Sequence, residues 1–198
     1  TVAPVAPTAP ATQPATSTPV PAARTAGERM VKTVKGVEFA FRWCPPGSFT
    51  MGSLPERTWA GWWNNEPPGE EGRRFDEKQH KVTISQGFWL METEVTQAQW
   101  KAVMGSNPSS FKGDNLPVEN VSWDDCQEFC KKAKSLGLPL ALPSEAKWEY
   151  SCRSGTTTAY YWGNSLNGDK ANCNGNYPCG TTTKGPCLGK TTPVKSYQ

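Results

Sequence analysis

The sequence predicts a loop-rich α+β fold, with short strands first and three helices after them. Three observations carry that expectation. The 198 residues include 18 Gly, 18 Pro and 9 Trp, which favours irregular chain held by large aromatic anchors and disfavours a helical bundle. Alternating apolar residues as far as Leu90 read as strands, and three capped apolar stripes between Thr96 and Gly155 read as helices. The length suits one domain with a real core.

Residues 1–30 are expected to be a disordered Pro-, Thr- and Ala-rich linker or stalk, and 31–198 the folded domain. Pro4, Pro7, Pro10, Pro14, Pro19 and Pro21 favour extended polyproline II chain with nothing to pack. An O-glycosylated stalk and a plain spacer are equally good readings of it. The chain starts at Thr1 on this polar tail with no visible signal peptide, as expected of a processed or trimmed N-terminus.

Val37, Phe39 and Phe41 alternate with polar neighbours and predict a strand. Pro45, Pro46 and Gly47 turn the chain into a second short strand, Ser48 to Met51, ended by Gly52. Leu54 to Asp76 reads as a long loop carrying Trp59, Trp62 and Trp63. His80 to Leu90 reads as one further strand, with Val82 and Ile84 facing one way.

The first helix has a capping box, Thr96 with Gln99, and a buried face of Trp100, Val103 and Met104 before Gly105 stops it. Ser122 with Asp125 opens the second, with Trp123, Cys126, Cys130 and Ala133 on its inner stripe. In the third, Ser144 caps, Glu145 suits the positive first turn, Trp148 and Cys152 share a face, and Gly155 closes. From Thr156 onward the Gly, Asn, Thr and Pro content predicts irregular loops and at most short strands.

A net charge of +3, with basic and acidic residues interspersed, argues against a nucleic-acid partner. No apolar run approaches the ~20 residues that cross a bilayer. Seven cysteines, Cys44, Cys126, Cys130, Cys152, Cys173, Cys179 and Cys187, are many for a cytosolic protein and odd for a closed disulfide set. No CxxC pair exists and His80 is the single histidine, which disfavours zinc. Cys126 and Cys130, one turn apart on a helix, are badly placed to bridge each other. The stalk and the cysteine content together predict an extracytoplasmic bacterial protein, periplasmic, surface-bound or secreted.

Five segments occur in a telling order: CPPGSFTMGS at Cys44–Ser53, HKVTISQGFWLMETEVTQAQW at His80–Trp100, LPVENVSWDDCQEFC at Leu116–Cys130, LPSEAKWEYSCRSG at Leu142–Gly155 and YYWGNS at Tyr160–Ser165. Together they resemble bacterial members of the formylglycine-generating enzyme (sulfatase-modifying factor) family, over roughly Val37 to Ser196. The resemblance implies a C-type-lectin-like α+β fold with small mixed sheets, about three helices and much ordered loop, with the chain corresponding to the N-terminal two thirds of that domain.

What the resemblance implies chemically is more restrictive. Active members oxidise a sulfatase cysteine to formylglycine with oxygen and a copper ion held by two thiolates, a ligand type that suits Cu(I). That pair lies in the last third of the family's domain, and none of the seven cysteines here occupies its positions. The expectation is therefore no catalytic residue and no copper in this chain. Cys130 and Cys152 match positions that form structural disulfides in some animal members, with partners in the C-terminal part. A family calcium site begins at the position of Asn172, but the expected carboxylate falls at Pro186. Asn172, Asn174 and Asn176 make a neutral loop, so an Asn/Gly turn cluster is the preferred reading. The related three-histidine iron oxygenases are excluded, since His80 stands alone.

Three functions stay open at this point. One is a formylglycine-generating oxidase without its catalytic segment. Another is a lectin-like module binding glycan or peptide, with Trp59, Trp62 and Trp63 as candidate contacts, although covering the domain's own core is the preferred reading of these indoles. The last is a structural component of an extracellular assembly. Corresponding partners are a protein or glycan ligand, the missing C-terminal part of the same domain, or further copies of the chain.

Overall fold

The computed structural model describes residues 24–53 and 76–197. Trp59, Trp62 and Trp63 lie outside the described residues, as does most of the expected linker. Five strands precede three helices: β1 (Arg29–Val34), β2 (Val37–Cys44), β3 (Gly47–Met51), β4 (His80–Ile84), β5 (Phe88–Met91), α1 (Gln97–Met104), α2 (Trp123–Ser135) and α3 (Glu145–Arg153).

β1 is an element that the sequence pattern did not disclose. It pairs with β2 from Arg29↔Arg42 to Val34↔Val37. Lys35 and Gly36 between them both have positive φ, 48° and 80°, the two-residue turn that matches strand twist. β2 then pairs antiparallel with β5, so the larger sheet runs β1-β2-β5. β3 and β4 form a separate antiparallel pair from Gly47↔Ile84 to Met51↔His80. All three ladders are thus antiparallel, and among the described residues parallel pairing is confined to the isolated Ser53–Lys78 bridge.

His80 to Leu90, expected as one strand, is two strands in two sheets. The break falls at Ser85–Gly87. A Cβ at Gly87 would collide with the Trp43 indole, so glycine lets the chain pass close enough for β5 to join β2.

The core lies between the larger sheet and the first two helices. Val34, Phe39, Phe41, Trp100, Val103, Phe129, Ala133 and Leu138 form one buried cluster, with the Trp100 and Phe129 rings stacked at 5.0 Å. The capping boxes of α1 and α2 form as expected. Gln97 is as buried as the apolar core, 1 % exposed. Its amide donates to the Phe111 and Pro117 carbonyls and accepts from Asn107 and from the Gly113 N–H. One side chain thereby satisfies four backbone and amide groups of the loop after α1.

Two tryptophans that the sequence placed on helix faces are exposed. These are Trp123, expected on the inner stripe of its helix and 67 % exposed, and Trp148, expected only to share a face with Cys152 and 59 % exposed. α2 reaches the core through Phe129 and Ala133 in its second half, so its first turn, with Trp123, projects past the packed region. α3 contains no buried residue and meets the smaller sheet edge-on through Tyr150, whose ring lies 5.4 Å from that of Phe49. From Thr156 onward the chain is irregular, tied by bridges such as Leu166–Cys179.

Candidate functional site

Where the two sheets meet the end of α3, the described residues leave a cleft of about 820 Å³, within the size range of ligand sites. β2 supplies Arg42, Trp43 and Cys44, β3 supplies Ser48 and Thr50, and α3 supplies Tyr150 and Ser151. Each is positioned by its element. Trp43 packs edge-on against Trp89 at 5.3 Å, and the Arg24 guanidinium lies over both indoles, 5.3 and 5.1 Å from their centres, a cation–π arrangement. Tyr150 fits because residue 47 is glycine: a Cβ there would lie 2.5 Å from the phenol oxygen. Cys44 Sγ lies 3.5 Å from Ser151 Oγ.

Glu92 is the electrostatic centre of the rim. Arg42 Nη2 donates to its carboxylate at 2.7 Å, Arg29 Nε at 3.1 Å, and Lys195 Nζ lies 3.3 Å away. The Arg42 hydrogen bond dominates, and with Arg29 and Lys195 it outweighs partial burial, holding the Glu92 pKa at about 2 against an ordinary 4.5. Arg42 also donates to the Gly27 carbonyl at 3.0 Å. This rim is polar and ionised, and it can bind.

The fold and the cleft can be set beside known proteins. The model of the sulfatase-modifying factor enzyme 1-like domain matches residues 29–198. The chain belongs to this family. Relatives include the formylglycine-generating enzyme of Streptomyces coelicolor, 35 % identical over 116 residues, covering 56 % of this chain and 34 % of that enzyme. They also include the inactive Cα-formylglycine-generating enzyme 2 of Bos taurus, 28 % identical over 125 residues, covering 62 % of this chain and 39 % of the relative. The chain spans well under half the length of both relatives. Among solved structures, Treponema denticola variable protein 1 superposes with a TM-score of 0.53 at 24 % identity, covering 67 % of this chain and 59 % of the other. That likeness concerns the fold alone, and agrees with a loop-rich α+β architecture of this type.

In this sulfatase-modifying-factor-like domain the described residues singled out from sequence, Asn172, Cys130 and Cys152, are not among those that line the cleft. Asn172 is exposed and donates through Nδ2 to the Lys190 carbonyl at 2.8 Å. It edges a second hollow of about 390 Å³ together with Cys173, Asn174 and Cys187. Nearby, the Asn174 side chain accepts from the Asn176 N–H, an Asx turn. Cys130 is half-buried on α2 and Cys152 exposed on α3, and all seven thiols are free. Burial, then the neighbouring Asp125 carboxylate, pushes the Cys126 thiol up, and burial does the same to Cys130. Among the described residues no three His, Cys, Asp or Glu side chains gather as a metal-binding group, and no helix is long and apolar enough to cross a membrane.

Sequence reasoning missed Arg42, Glu92 and Lys195 because they come together from positions up to 153 residues apart along the chain. The only local signal was the METEVT segment, which marks Glu92 as part of a family motif without saying what it faces.

Proposed function

We propose that this chain is a non-catalytic sulfatase-modifying-factor-like domain that works as an extracytoplasmic binding module, with the cleft beside Trp43 and Tyr150 as its ligand site and a polypeptide as its ligand. The cleft is the observation that carries the reading. Its floor is aromatic and its rim bears hydroxyls and ionised groups, the mixture that orients a ligand without transforming it. The existence of an inactive relative at similar identity is in keeping with use of the fold without oxidation. The Pro-, Thr- and Ala-rich N-terminal sequence is in keeping with the extracytoplasmic placement.

The donor chemistry supports the absence of an oxidase centre in these residues. Copper(I) needs a pair of thiolates. Cys126 and Cys130 stand one turn apart on α2 as half-buried free thiols, and none of the seven cysteines falls at the positions that hold copper in the family the sequence resembles. A calcium ion at Asn172 would find neutral amides and no neighbouring carboxylate cluster among the described residues, a poor donor set for tight binding.

Two measurements test this. The purified chain is loaded with copper(I) and incubated in air with a CxPxR peptide, and aldehyde is sought by hydrazide capture and mass spectrometry. No aldehyde is expected, and catalytic aldehyde formation would sink the non-catalytic reading. A peptide array then probes binding, with Thr50→Trp to fill the cleft. Saturable binding abolished by that substitution is expected, whereas binding unchanged by it places the ligand elsewhere.

A further inference from the structure

The geometry points to an anion subsite beside the cleft, formed by Arg29, Arg42 and Lys195 around Glu92 and joined to the cleft through Arg42 and Glu92, that receives the carboxylates of an acidic peptide segment. The inference rests on the binding-module reading and names the ligand class.

Three cations meet one carboxylate here, leaving an excess of two positive charges. The fold concentrates them against its own stability. Arg29 and Arg42 stand directly opposite each other across the β1–β2 ladder, a like-charge pair that strands ordinarily avoid. Lys195 completes the group from a left-handed backbone conformation, φ 66°, which a non-glycine residue adopts only at a cost. The Val194 N–H to Asn115 carbonyl bond at 2.9 Å fixes the segment that carries it. Among the described residues Glu92 is the one carboxylate paired with these cations, and it stays ionised down to about pH 2.

Donors remain for a ligand. Arg29 spends only Nε on Glu92, so both its terminal nitrogens are unused among the described residues. Lys195 keeps two of its three protons and is 56 % exposed at the side chain. A carboxylate entering here gains charge-assisted bonds from groups already held in place. The neighbouring lining of Leu90, Phe49 and Tyr150 suits the apolar body of an extended peptide. A bare inorganic anion would leave that lining empty.

The test uses the whole chain and fluorescence polarisation with a labelled octapeptide of alternating Glu and Leu, compared with its Gln/Leu counterpart. The acidic peptide is expected to bind at least about tenfold more tightly, and its affinity should fall as salt is raised. Lys195→Gln and Arg29→Gln should each weaken it several-fold while Glu92→Gln tightens it, with melting curves confirming the fold of every variant. Lys195→Gln, at an exposed position, decides the matter if another variant fails to fold. Equal binding of the neutral peptide would overturn the inference while leaving the binding module intact. Affinity unmoved by Lys195→Gln, or a single-stranded oligonucleotide bound as tightly as the acidic peptide, would also overturn it. Aldehyde formation in the copper assay would instead remove the non-catalytic reading and leave this comparison standing.

Discussion

Glu149 and Arg153, one turn apart on α3, hold both backbone groups of Gly52. Glu149 Oε1 accepts from the Gly52 N–H at 2.8 Å and from Arg153 Nε at 2.8 Å, and Arg153 Nη2 donates to the Gly52 carbonyl at 2.8 Å. This contact joins the LPSEAKWEYSCRSG helix to the MGS end of β3, two motifs about a hundred residues apart. Residue 52 must be glycine on two counts: φ is +94°, and a Cβ would lie 2.7 Å from the Glu77 carbonyl oxygen.

The clamp predicts coupled losses. Glu149→Ala and Arg153→Ala should each destabilise by about 2 kcal/mol, because a partly buried charged partner is left short of its bonds. The double variant should cost clearly less than the two together, since both act on one network. Urea denaturation of the four proteins measures this, and simple additivity would mean that the clamp does not act as a unit.

Gln97→Leu should be worse despite its similar volume. It strands the Phe111 and Pro117 carbonyls, the Asn107 amide and the Gly113 N–H together, a loss of about 3 kcal/mol or more. Limited proteolysis should then cut within residues 107–117 well before wild type does. Unchanged protection of that loop would show that Gln97 does not organise it.

How much of this was legible in the sequence differs by element, for physical reasons. Helix ends were readable because Thr96, Ser122 and Ser144 each accept from the N–H three residues on. Strand β1 was not, since Arg29, Lys32 and Thr33 break up its apolar residues and its partner β2 supplies the pairing. Trp123 and Trp148 show the limit of periodicity: it says which residues share a helix face, not whether anything covers that face. The cleft was invisible for a further reason. Arg42, Glu92, Tyr150 and Lys195 carry no common local pattern and converge only through the tertiary fold.

The exposed and buried indoles should separate cleanly. Trp100→Ala removes the ring stacked on Phe129 and should cost about 3–5 kcal/mol. Trp123→Ala and Trp148→Ala should stay within about 0.5 kcal/mol, while each reduces the fraction of tryptophan emission quenched by acrylamide. A large stability loss at either exposed position would mean that the ring is covered in solution.

Acid stability should report Glu92. Its folded pKa is about 2 against an ordinary 4.5, so folding favours the ionised form. The sign follows from linkage: the unfolded chain binds this proton more readily, and stability rises with pH wherever that holds. The Glu92 contribution is therefore complete above about pH 4.5 and is lost as pH falls toward 2. Between these limits the wild-type denaturation midpoint should decline more steeply than that of Glu92→Gln, which carries no titrating group at this site. Above pH 5 the two proteins should differ by a constant amount, with the variant the less stable because Arg29 and Arg42 then face each other without a counterion. Parallel pH profiles through the acid range would mean that the three cations do not hold this carboxylate.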